Sequence, residues 1–293
     1  MPRVNITDVY LRDGLQDEKC IVPTADKLAV LDATLASGIT SLEIASFVSA
    51  TRVPQMADAE EVVKRAARRD GSRYSALTLN SRGVHRAAET DIDVIQIVTS
   101  ASESHSRANA GRSPDDALRD LSSAVALHPD RTFIGGVSTA FVCPFDGVIT
   151  PERLVEVCER MADIGVSSLG LADTLGIATT DQVLTGVDAV RTALPELTIS
   201  LHLHNAHDQA LDTAVRAVLD LEIEYFDSAL AGYGGCPFAP GAHGNLATEQ
   251  LVDTFHRAGI DTGIDTDALT VAADLARAVV DRALPLPTPA SAL

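Results

Sequence analysis

The chain has 293 residues, of which 46% are hydrophobic, and it carries a formal net charge of −18 at pH 7. Its mean hydropathy of +0.12 excludes a disordered chain, and its length suits a single domain of about 250 residues or more. No apolar run approaches the roughly 18 residues that a membrane span needs. The acidic charge, without a basic stripe to offset it, argues against a nucleic-acid partner.

Short β-rich runs alternate with helical patterns along the whole chain. The first run starts so close to the N-terminus that MPRVNITDVYLRDG reads as a strand and not as a signal peptide, which predicts a cytoplasmic protein. The predicted strands are 4–10, 40–47, 74–79, 93–99, 132–142, 167–172, 198–204 and 223–230. Eight such units are typical of a closed (β/α)8 barrel, the TIM barrel, and fit an open doubly wound sheet less well.

Helix start signals lie between these strands. They combine Ser or Thr with proline or an acidic residue at the first helical positions. The clearest are Pro23-Thr24, Ser113-Pro114, Thr150-Pro151 and Thr248-Glu249. A further helical stretch, 266–282, follows the eighth unit as an extra C-terminal helix. We therefore predict one catalytic domain over residues 1–285 and a loose, proline-rich tail over 286–293.

Polar groups follow several of the predicted strands at their C-terminal ends. In a barrel of this type these ends meet at one mouth, where the catalytic groups lie. The residues placed there are Arg12, Asp13, Glu43, Ser46, Asp173, Thr174, His202, His204 and Asn245. The sequence therefore predicts a polar site at the mouth of the barrel.

The His-x-His pair is the most specific feature of this site. Since strand side chains alternate between faces, His202 and His204 point the same way. Alone, the pair is also compatible with two histidines hydrogen-bonded in a polar layer. Barrel closure, however, brings strands 1 and 8 beside strand 7, so Asp13 and Asn245 converge on it. Two imidazoles and two oxygen donors suit Mg²⁺ or Mn²⁺ better than a closed zinc site.

A glycine-rich loop, 230–245, follows the last strand and contains Cys236. Glycines permit close approach of the backbone to a ligand, although a plain flexible connection is the alternative. A thiol on a mobile loop above a metal site is suited to general acid or base chemistry. The other cysteines, Cys20, Cys143 and Cys158, form no C-x-x-C pair with it or with each other, so we expect neither a disulfide framework nor a zinc knuckle.

At these residues the chain resembles the hydroxymethylglutaryl-CoA lyase branch of the barrel metallolyases that share an R-D-x-x-Q/E motif after strand 1. The order and spacing of the matches run from strand 1 to the last barrel helix, which makes the resemblance specific. The matching segments are Arg12–Glu18, Glu43, Ser46–Ser49, Val53–Met56, Ala101–Glu103, Cys143–Gly147, Asp173–Gly176, His202–His204, Gly234–Phe238 and Gly244–Glu249.

The resemblance implies a role for each site residue. Asp13, His202, His204 and Asn245 would hold the divalent cation. Cys236 would be the catalytic thiol, Arg12 would stabilise the enolate of the thioester, and Glu43 and Asp173 would be polar partners within the site. The expected substrate contacts are Arg12, Gln16, Ser46, Ser102 and Thr174.

The implied reaction is a metal-assisted retro-Claisen cleavage of 3-hydroxy-3-methylglutaryl-CoA (HMG-CoA). A base at or near Asp13 would remove the proton of the tertiary hydroxyl. The carbon–carbon bond would then break to give acetoacetate and the enolate of acetyl-CoA, which Cys236 would protonate. The resemblance further implies an acyl-CoA substrate, a homodimer and a place in leucine catabolism.

The chain departs from the lyase pattern around the mouth. Asn205–Gln209 stands where these lyases usually have Asp-Thr-Tyr-Gly-Gln, Ala50–Arg52 replaces Pro-Lys-Trp, Phe141-Val142 replaces Leu-Gly, and His243 replaces a small residue. Such changes bear on the substrate more than on metal binding. Three alternatives therefore stay open: an isopropylmalate- or citramalate-type carboligase, a lyase for another 3-hydroxy-3-carboxymethyl acyl-CoA, and a non-enzymatic binding module.

Overall fold

Eight parallel strands close into a barrel in the computed structural model, which describes residues 1–235 and 244–286. The order around the barrel is β1-β8-β7-β6-β5-β4-β3-β2. The strands are β1 (Asn5–Asp8), β2 (Ser41–Ser46), β3 (Arg73–Thr78), β4 (Val94–Ser100), β5 (Thr132–Ser138), β6 (Ser168–Asp173), β7 (Thr198–Leu203) and β8 (Tyr225–Ser228). The predicted TIM barrel is confirmed.

A shell of helices surrounds the strands. Its members in the described part of the chain are α1 (Thr24–Ala36), α2 (Ala59–Arg65), α3 (Ser81–Ala88), α4 (Glu103–Ala110), α5 (Pro114–Val125), α6 (Pro151–Ala162), α7 (Thr180–Ala193), α8 (Ala210–Leu221), α9 (Thr248–Arg257) and α10 (Thr266–Asp281). The predicted start signals are confirmed: the Ser113 side chain accepts from the Asp116 amide, and that of Thr150 accepts from the Arg153 amide. None of the described helices is both long and apolar enough to cross a membrane.

The extra C-terminal helix, α10, packs against α1. Its buried side chains include Leu269, Ala272 and Ala276. The hydroxyl of Tyr10, two residues after β1, donates to the Ala276 carbonyl oxygen at 2.9 Å. This helix therefore supports the segment that carries the first polar residues of the mouth. The tail 287–293 lies outside the described residues, so the domain limits stay a prediction.

The apolar core lies between the strands and the helices, not along the barrel axis. In β6 and β7 every second residue, such as Leu171 and Leu201, is fully buried against the helices. Their neighbours Gly170, Ser200 and His202 face the axis and stay partly accessible. The inner face of these strands is therefore largely small and polar.

Two predicted strands end earlier than expected. The first was expected to reach residue 10, but β1 ends at Asp8 because a π-helix begins at Tyr10. The fifth was expected to reach residue 142, but β5 ends at Ser138, and Thr139 has a left-handed φ of 48°. The chain then forms a short antiparallel pair, Val142–Cys143 with Gly147–Val148. A second such pair joins Cys20–Ile21 to Leu284–Pro285.

Gly176 shows how closely the loops of the mouth approach one another. Its φ is +66°, and an added Cβ would lie 2.6 Å from the His204 carbonyl carbon and 2.7 Å from the Ala206 amide nitrogen. We expect Gly176→Ala to lower the free energy of unfolding by about 3 kcal/mol, since it adds backbone strain and a backbone clash. Urea unfolding followed by circular dichroism measures this loss.

Gly165→Ala is the matched control for this substitution. Gly165 also has a positive φ, +97°, but an added Cβ would meet nothing within 4 Å. Only the cost of the left-handed conformation, about 1 kcal/mol, applies there. Equal losses in the two variants would contradict the role of close approach at Gly176.

Candidate metal and active site

A π-helix, Tyr10–Gly14, turns the chain into the mouth directly after β1. The amides of Arg12, Asp13 and Gly14 all donate to the Val9 carbonyl oxygen, at 3.2, 2.8 and 3.2 Å. Wide turns of this kind are rare and occur frequently at functional sites. This turn places Arg12 and Asp13 side by side above the barrel axis.

His202 and His204 bring their imidazoles together at the end of β7. The two Nε2 atoms lie 3.1 Å apart. Asp13 Oδ2 lies 3.8 Å from the Nε2 atom of each ring. The side chains are 13% exposed for His202, 4% for His204 and 14% for Asp13, so the cluster is shielded but open on one side. The convergence predicted from the His-x-His pair is confirmed.

Asn245 reaches the same cluster from the far end of the glycine-rich loop. A backbone bridge pairs it with His204, and its Nδ2 donates to Asp13 Oδ2 at 2.7 Å. Gly234 makes room for this contact: a Cβ there would lie 2.4 Å from Asn245 Nδ2. The Asn245 side chain therefore borders the cluster, with its amide nitrogen towards Asp13.

The donor set fits a divalent cation. Within the described residues, Asp13, His202 and His204 place their ligand atoms within 4.8 Å of one another. At 3.1 Å the two Nε2 atoms can share a hydrogen bond, and the Asp13 carboxylate beside them completes a set of three atoms that could bind one cation. Mixed nitrogen and oxygen donors with open positions suit cations such as Mg²⁺ and Mn²⁺, although the set does not specify the ion.

The charges around Asp13 keep it ionised. Burial alone would raise its pKa, but Arg12 and the two imidazoles hold that pKa well below its ordinary value. Burial would lower the pKa of His202, but the carboxylates of Asp227 and Asp13 raise it above its ordinary value. A cation that binds here would meet the negative charge of Asp13 and would compete with a proton for the His202 ring.

Arg12 links the carboxylates of Asp13 and Glu43. Its Nε donates to Glu43 Oε2 at 2.5 Å, and its Nη1 donates to Asp13 Oδ1. Glu43 is 2% exposed, and burial raises its pKa to about 7, although the charge of Arg12 opposes that shift. The guanidinium is therefore fixed by two charge-assisted hydrogen bonds at the edge of the cation site.

A model of the HMGL-like family matches residues 3–276 of this chain. The chain belongs to the HMGL-like family. This result confirms the resemblance noted from the strand-1 motif, the His-x-His pair and the glycine-rich loop. The three possible metal ligands and Arg12 therefore all lie within the part of the chain that the family model matches.

Three proteins similar to this HMGL-like chain are lyases that act on acyl-CoA thioesters. The (R)-citramalyl-CoA lyase of Chloroflexus aurantiacus is 38% identical over 297 residues, which covers 97% of this chain and 93% of the relative. The crystal structure of HMG-CoA lyase from Brucella melitensis is 38% identical and superposes with a TM-score of 0.90 over 96% of this chain and 100% of its own. An HMG-CoA lyase from Acinetobacter baumannii, in complex with coenzyme A and 3-methylmalate, is 34% identical with a TM-score of 0.89, over 97% of this chain and 93% of its own.

Asp227 is a site residue of this HMGL-like protein that the sequence reading missed. His202 Nδ1 lies 3.3 Å from Asp227 Oδ2, and the two residues are register partners in β7 and β8. A metal-bound imidazole commonly donates its other N–H to a carboxylate, which orients the ring. The available signal was alternation: in β8, Phe226 is buried outward, so Asp227 must face the axis beside His202.

We expect Asp227→Ala to weaken cation binding by about 10- to 100-fold, since the His202 ring loses the partner that orients it. Isothermal titration of the apoprotein with Mn²⁺ measures this change. Asp227→Asn is the control, since its amide oxygen still accepts from Nδ1, and its loss should be smaller. Wild-type affinity in Asp227→Ala would contradict the orienting role.

A cavity of about 170 Å³ opens at the mouth beside the metal cluster. Arg12, Gln16 and Thr174 line it together with the two histidines and a largely apolar wall. The apolar part of that wall consists of Leu77, Leu79, Val98, Val137 and Ala172. Of the expected substrate contacts, Arg12, Gln16 and Thr174 are therefore brought together in this cavity. The Thr139 amide donates a 2.8 Å hydrogen bond to the Thr174 hydroxyl and holds that side chain in place.

Three other expected site residues lie outside the lining of this catalytic cavity. The Ser46 hydroxyl is directed at the Leu77 carbonyl oxygen at 3.5 Å. Ser102 caps α4, and its hydroxyl donates to Asp146 Oδ2 at 2.6 Å. Asp173 Oδ2 accepts from the Ala178 amide at 3.1 Å, and burial raises its pKa. Each makes hydrogen bonds near the mouth, so substrate contact by Ser46 and Ser102, and the role of Asp173 as a polar partner in the site, stay predictions. Cys236 and His243 lie outside the described residues.

Proposed function

We propose that this protein is a divalent-cation-dependent carbon–carbon lyase that cleaves HMG-CoA, or a close analogue, into acetyl-CoA and a keto acid, acetoacetate for HMG-CoA itself. The convergence of Asp13, His202 and His204 beside Arg12 carries the proposal. Relatives with 34–38% identity over nearly the whole chain are lyases for HMG-CoA or (R)-citramalyl-CoA. Both substrates are 3-hydroxy acyl thioesters, so the same bond chemistry applies.

The cation, Mg²⁺ or Mn²⁺, would be held by Asp13, His202, His204 and Asn245. When bound, it supplies positive charge that lowers the pKa of the substrate's tertiary hydroxyl. The chain's own contribution is to fix the donors: the π-helix places Asp13, β7 places the imidazoles, and Asp227 orients His202.

Arg12 would stabilise the charge that develops on the thioester oxygen as the carbon–carbon bond breaks. Its guanidinium lines the catalytic cavity and is held by Glu43 and Asp13, so little reorganisation is needed during the reaction. Asp13, or a group near it, would accept the proton of the substrate hydroxyl. Cys236 would then protonate the enolate carbon from the glycine-rich loop that ends at Asn245.

A second candidate substrate is (R)-citramalyl-CoA. The relative that acts on it is 38% identical and aligns over 97% of this chain. Segments such as Ala50–Arg52 and Asn205–Gln209 depart from the usual HMG-CoA lyase pattern around the mouth. Such changes would affect how the acyl group beyond the hydroxyl-bearing carbon binds. Because HMG-CoA and (R)-citramalyl-CoA differ in that group, the two substrates need direct comparison.

The deciding experiment measures acetyl-CoA release from HMG-CoA and from (R)-citramalyl-CoA with Mg²⁺ or Mn²⁺ present. Cys236→Ala serves beside the wild type, since it removes the proposed thiol without touching the described cation donors. We expect release from one thioester at a much higher kcat/KM and its loss in Cys236→Ala. Release from neither thioester, by a folded and metal-loaded protein, would refute both substrates and direct attention to condensation with a 2-oxo acid.

The remaining expectations stay proposals. We propose a cytoplasmic homodimer, and the free thiols of Cys20, Cys143 and Cys158 support a reducing compartment. Light scattering of the purified protein at several concentrations measures the assembly directly. A role in leucine catabolism follows only if HMG-CoA is the preferred substrate.

A further inference from the structure

A second, larger cavity occupies the barrel axis beneath the catalytic layer. Its volume is about 650 Å³, and it is lined by residues from the N-terminal halves of the strands, so it opens on the face opposite the mouth. The interiors of such barrels are usually filled by layers of Val, Ile and Leu. Here the lining is rich in hydroxyl groups, from Thr7, Ser41, Ser75, Thr132, Ser168, Thr198, Ser200 and Tyr225. We call it the lower cavity.

The deep end of the lower cavity adjoins the active site. Gln96, Gly170 and Asp227 line both the lower cavity and the catalytic cavity. These three residues therefore form the layer between the two cavities. The layer is thin at Gly170, which has no side chain. Whatever occupies the lower cavity lies directly below the residues that hold the cation.

Glu43 presents an unused hydrogen-bond acceptor at the deep end. The residue lines the lower cavity and is 2% exposed. Its Oε2 atom accepts from Arg12, but its Oε1 atom is buried with no hydrogen-bond partner among the described residues. A buried carboxylate oxygen without a partner is costly. A bound molecule with a hydroxyl or ammonium group would supply the missing donor.

Two arginines stand at the outer part of the same cavity. Arg3 is 70% exposed and has only a loose ion pair, 3.8 Å to Asp261. Arg73 is exposed and forms no ion pair within residues 1–235 and 244–286. In a chain with a net charge of −18, two guanidinium groups beside one opening create a local attraction for anions.

The spacing of these groups sets the size of a ligand. Glu43 is the register partner of Ser75, and Arg73 lies two residues before Ser75 on β3. Two residues along a strand span about 7 Å. The backbone positions that carry the deep acceptor and one rim cation are therefore about 7 Å apart along the barrel, a separation that suits a ligand with a short carbon chain.

We propose that the lower cavity is a second ligand site, for a small anion that carries a hydroxyl or ammonium group at its other end. The anionic group binds Arg73 and Arg3, the donor group binds Glu43 Oε1, and the hydroxyl wall solvates the middle. Because Glu43 also binds Arg12, the occupant lies one hydrogen bond away from the proposed catalytic guanidinium. The site goes beyond the lyase function and does not depend on it.

Isothermal titration with three probes tests the proposal without turnover. L-Serine, D-glycerate and glycerol 3-phosphate distinguish ammonium from hydroxyl donors and carboxylate from phosphate anions, and glycerol is the uncharged comparison. Two variants alter the lower cavity: Arg73→Gln removes a rim charge, and Ser75→Leu fills part of the cavity. Two are controls: Ser75→Ala leaves the lower cavity open, and Gln16→Leu alters only the catalytic cavity. Circular dichroism and Mn²⁺ binding confirm that each variant is folded.

We expect at least one charged probe to bind, and its affinity to fall at least about tenfold in Arg73→Gln and Ser75→Leu. Binding should stay within about twofold of wild type in Ser75→Ala and Gln16→Leu. If Ser75→Leu does not fold, the exposed substitution Arg73→Gln decides alone. Three results would each overturn the site: no binding of any charged probe up to about 10 mM, equal binding of glycerol, or binding that is lost in Gln16→Leu but kept in Arg73→Gln.

Discussion

We expect His202→Ala to lose tight cation binding and to lower lyase turnover by at least about 10³-fold. The ring supplies one of two nitrogens that face each other at 3.1 Å, and its loss leaves Asp13, His204 and Asn245 as an incomplete set. The fold should persist, since the substitution removes a side chain from the polar axis and not from the core around Leu201 and Leu203. Metal content after dialysis, measured beside kcat, gives both numbers.

His207→Ala is the matched control for the loss of cation binding. His207 is an exposed histidine five residues along the same chain segment and has no place in the cluster. Stripping the wild type with a chelator should abolish turnover, and added Mn²⁺ or Mg²⁺ should restore it, whereas His202→Ala should not respond. Retention of one tightly bound cation by His202→Ala would remove this histidine from the ligand set.

The barrel could be predicted from sequence because its signals are local. Alternating strands and helices, and start signals such as Ser113-Pro114, depend on a few neighbouring residues. The ends of β1 and β5 could not be predicted, since a π-helix at Tyr10 and a left-handed Thr139 interrupt runs that are still β-rich. Element boundaries follow from such backbone details and not from composition.

The site residues that belong to a recognisable sequence motif, or that lie beside one, could be predicted. Barrel closure allowed Asp13 and Asn245, which are 232 residues apart in the chain, to be expected beside the His202 and His204 pair. Asp227 has no motif of its own, because its role depends on a register with β7 that only the folded sheet fixes. The polar axis does not show in the sequence either, because an inward-facing serine and an outward-facing serine look alike there.

Arg12 is the residue whose conservative replacement should reveal most about the reaction. One guanidinium donates from Nε to Glu43 Oε2 and from Nη1 to Asp13 Oδ1, and its side chain is only 8% exposed. A lysine ammonium is a single point charge and cannot reproduce this fork. We expect Arg12→Lys to lower kcat by about 10²- to 10³-fold with a much smaller change in KM, the pattern for an interaction that strengthens in the transition state.

The pH dependence separates this role from simple loss of structure. Burial already raises the pKa of Glu43 to about 7 while Arg12 opposes the shift, so a weaker cation partner should raise that pKa further and leave the group protonated at neutral pH. The pH profile of kcat should therefore move to higher pH in Arg12→Lys. Adding Glu43→Gln to Arg12→Lys should abolish that movement. Arg257→Lys, at the C-terminal end of α9 and 71% exposed, should change neither kcat nor its profile. If Arg12→Lys keeps kcat within about threefold of wild type, the guanidinium does not stabilise the developing charge, and the role must pass to another donor of the catalytic cavity.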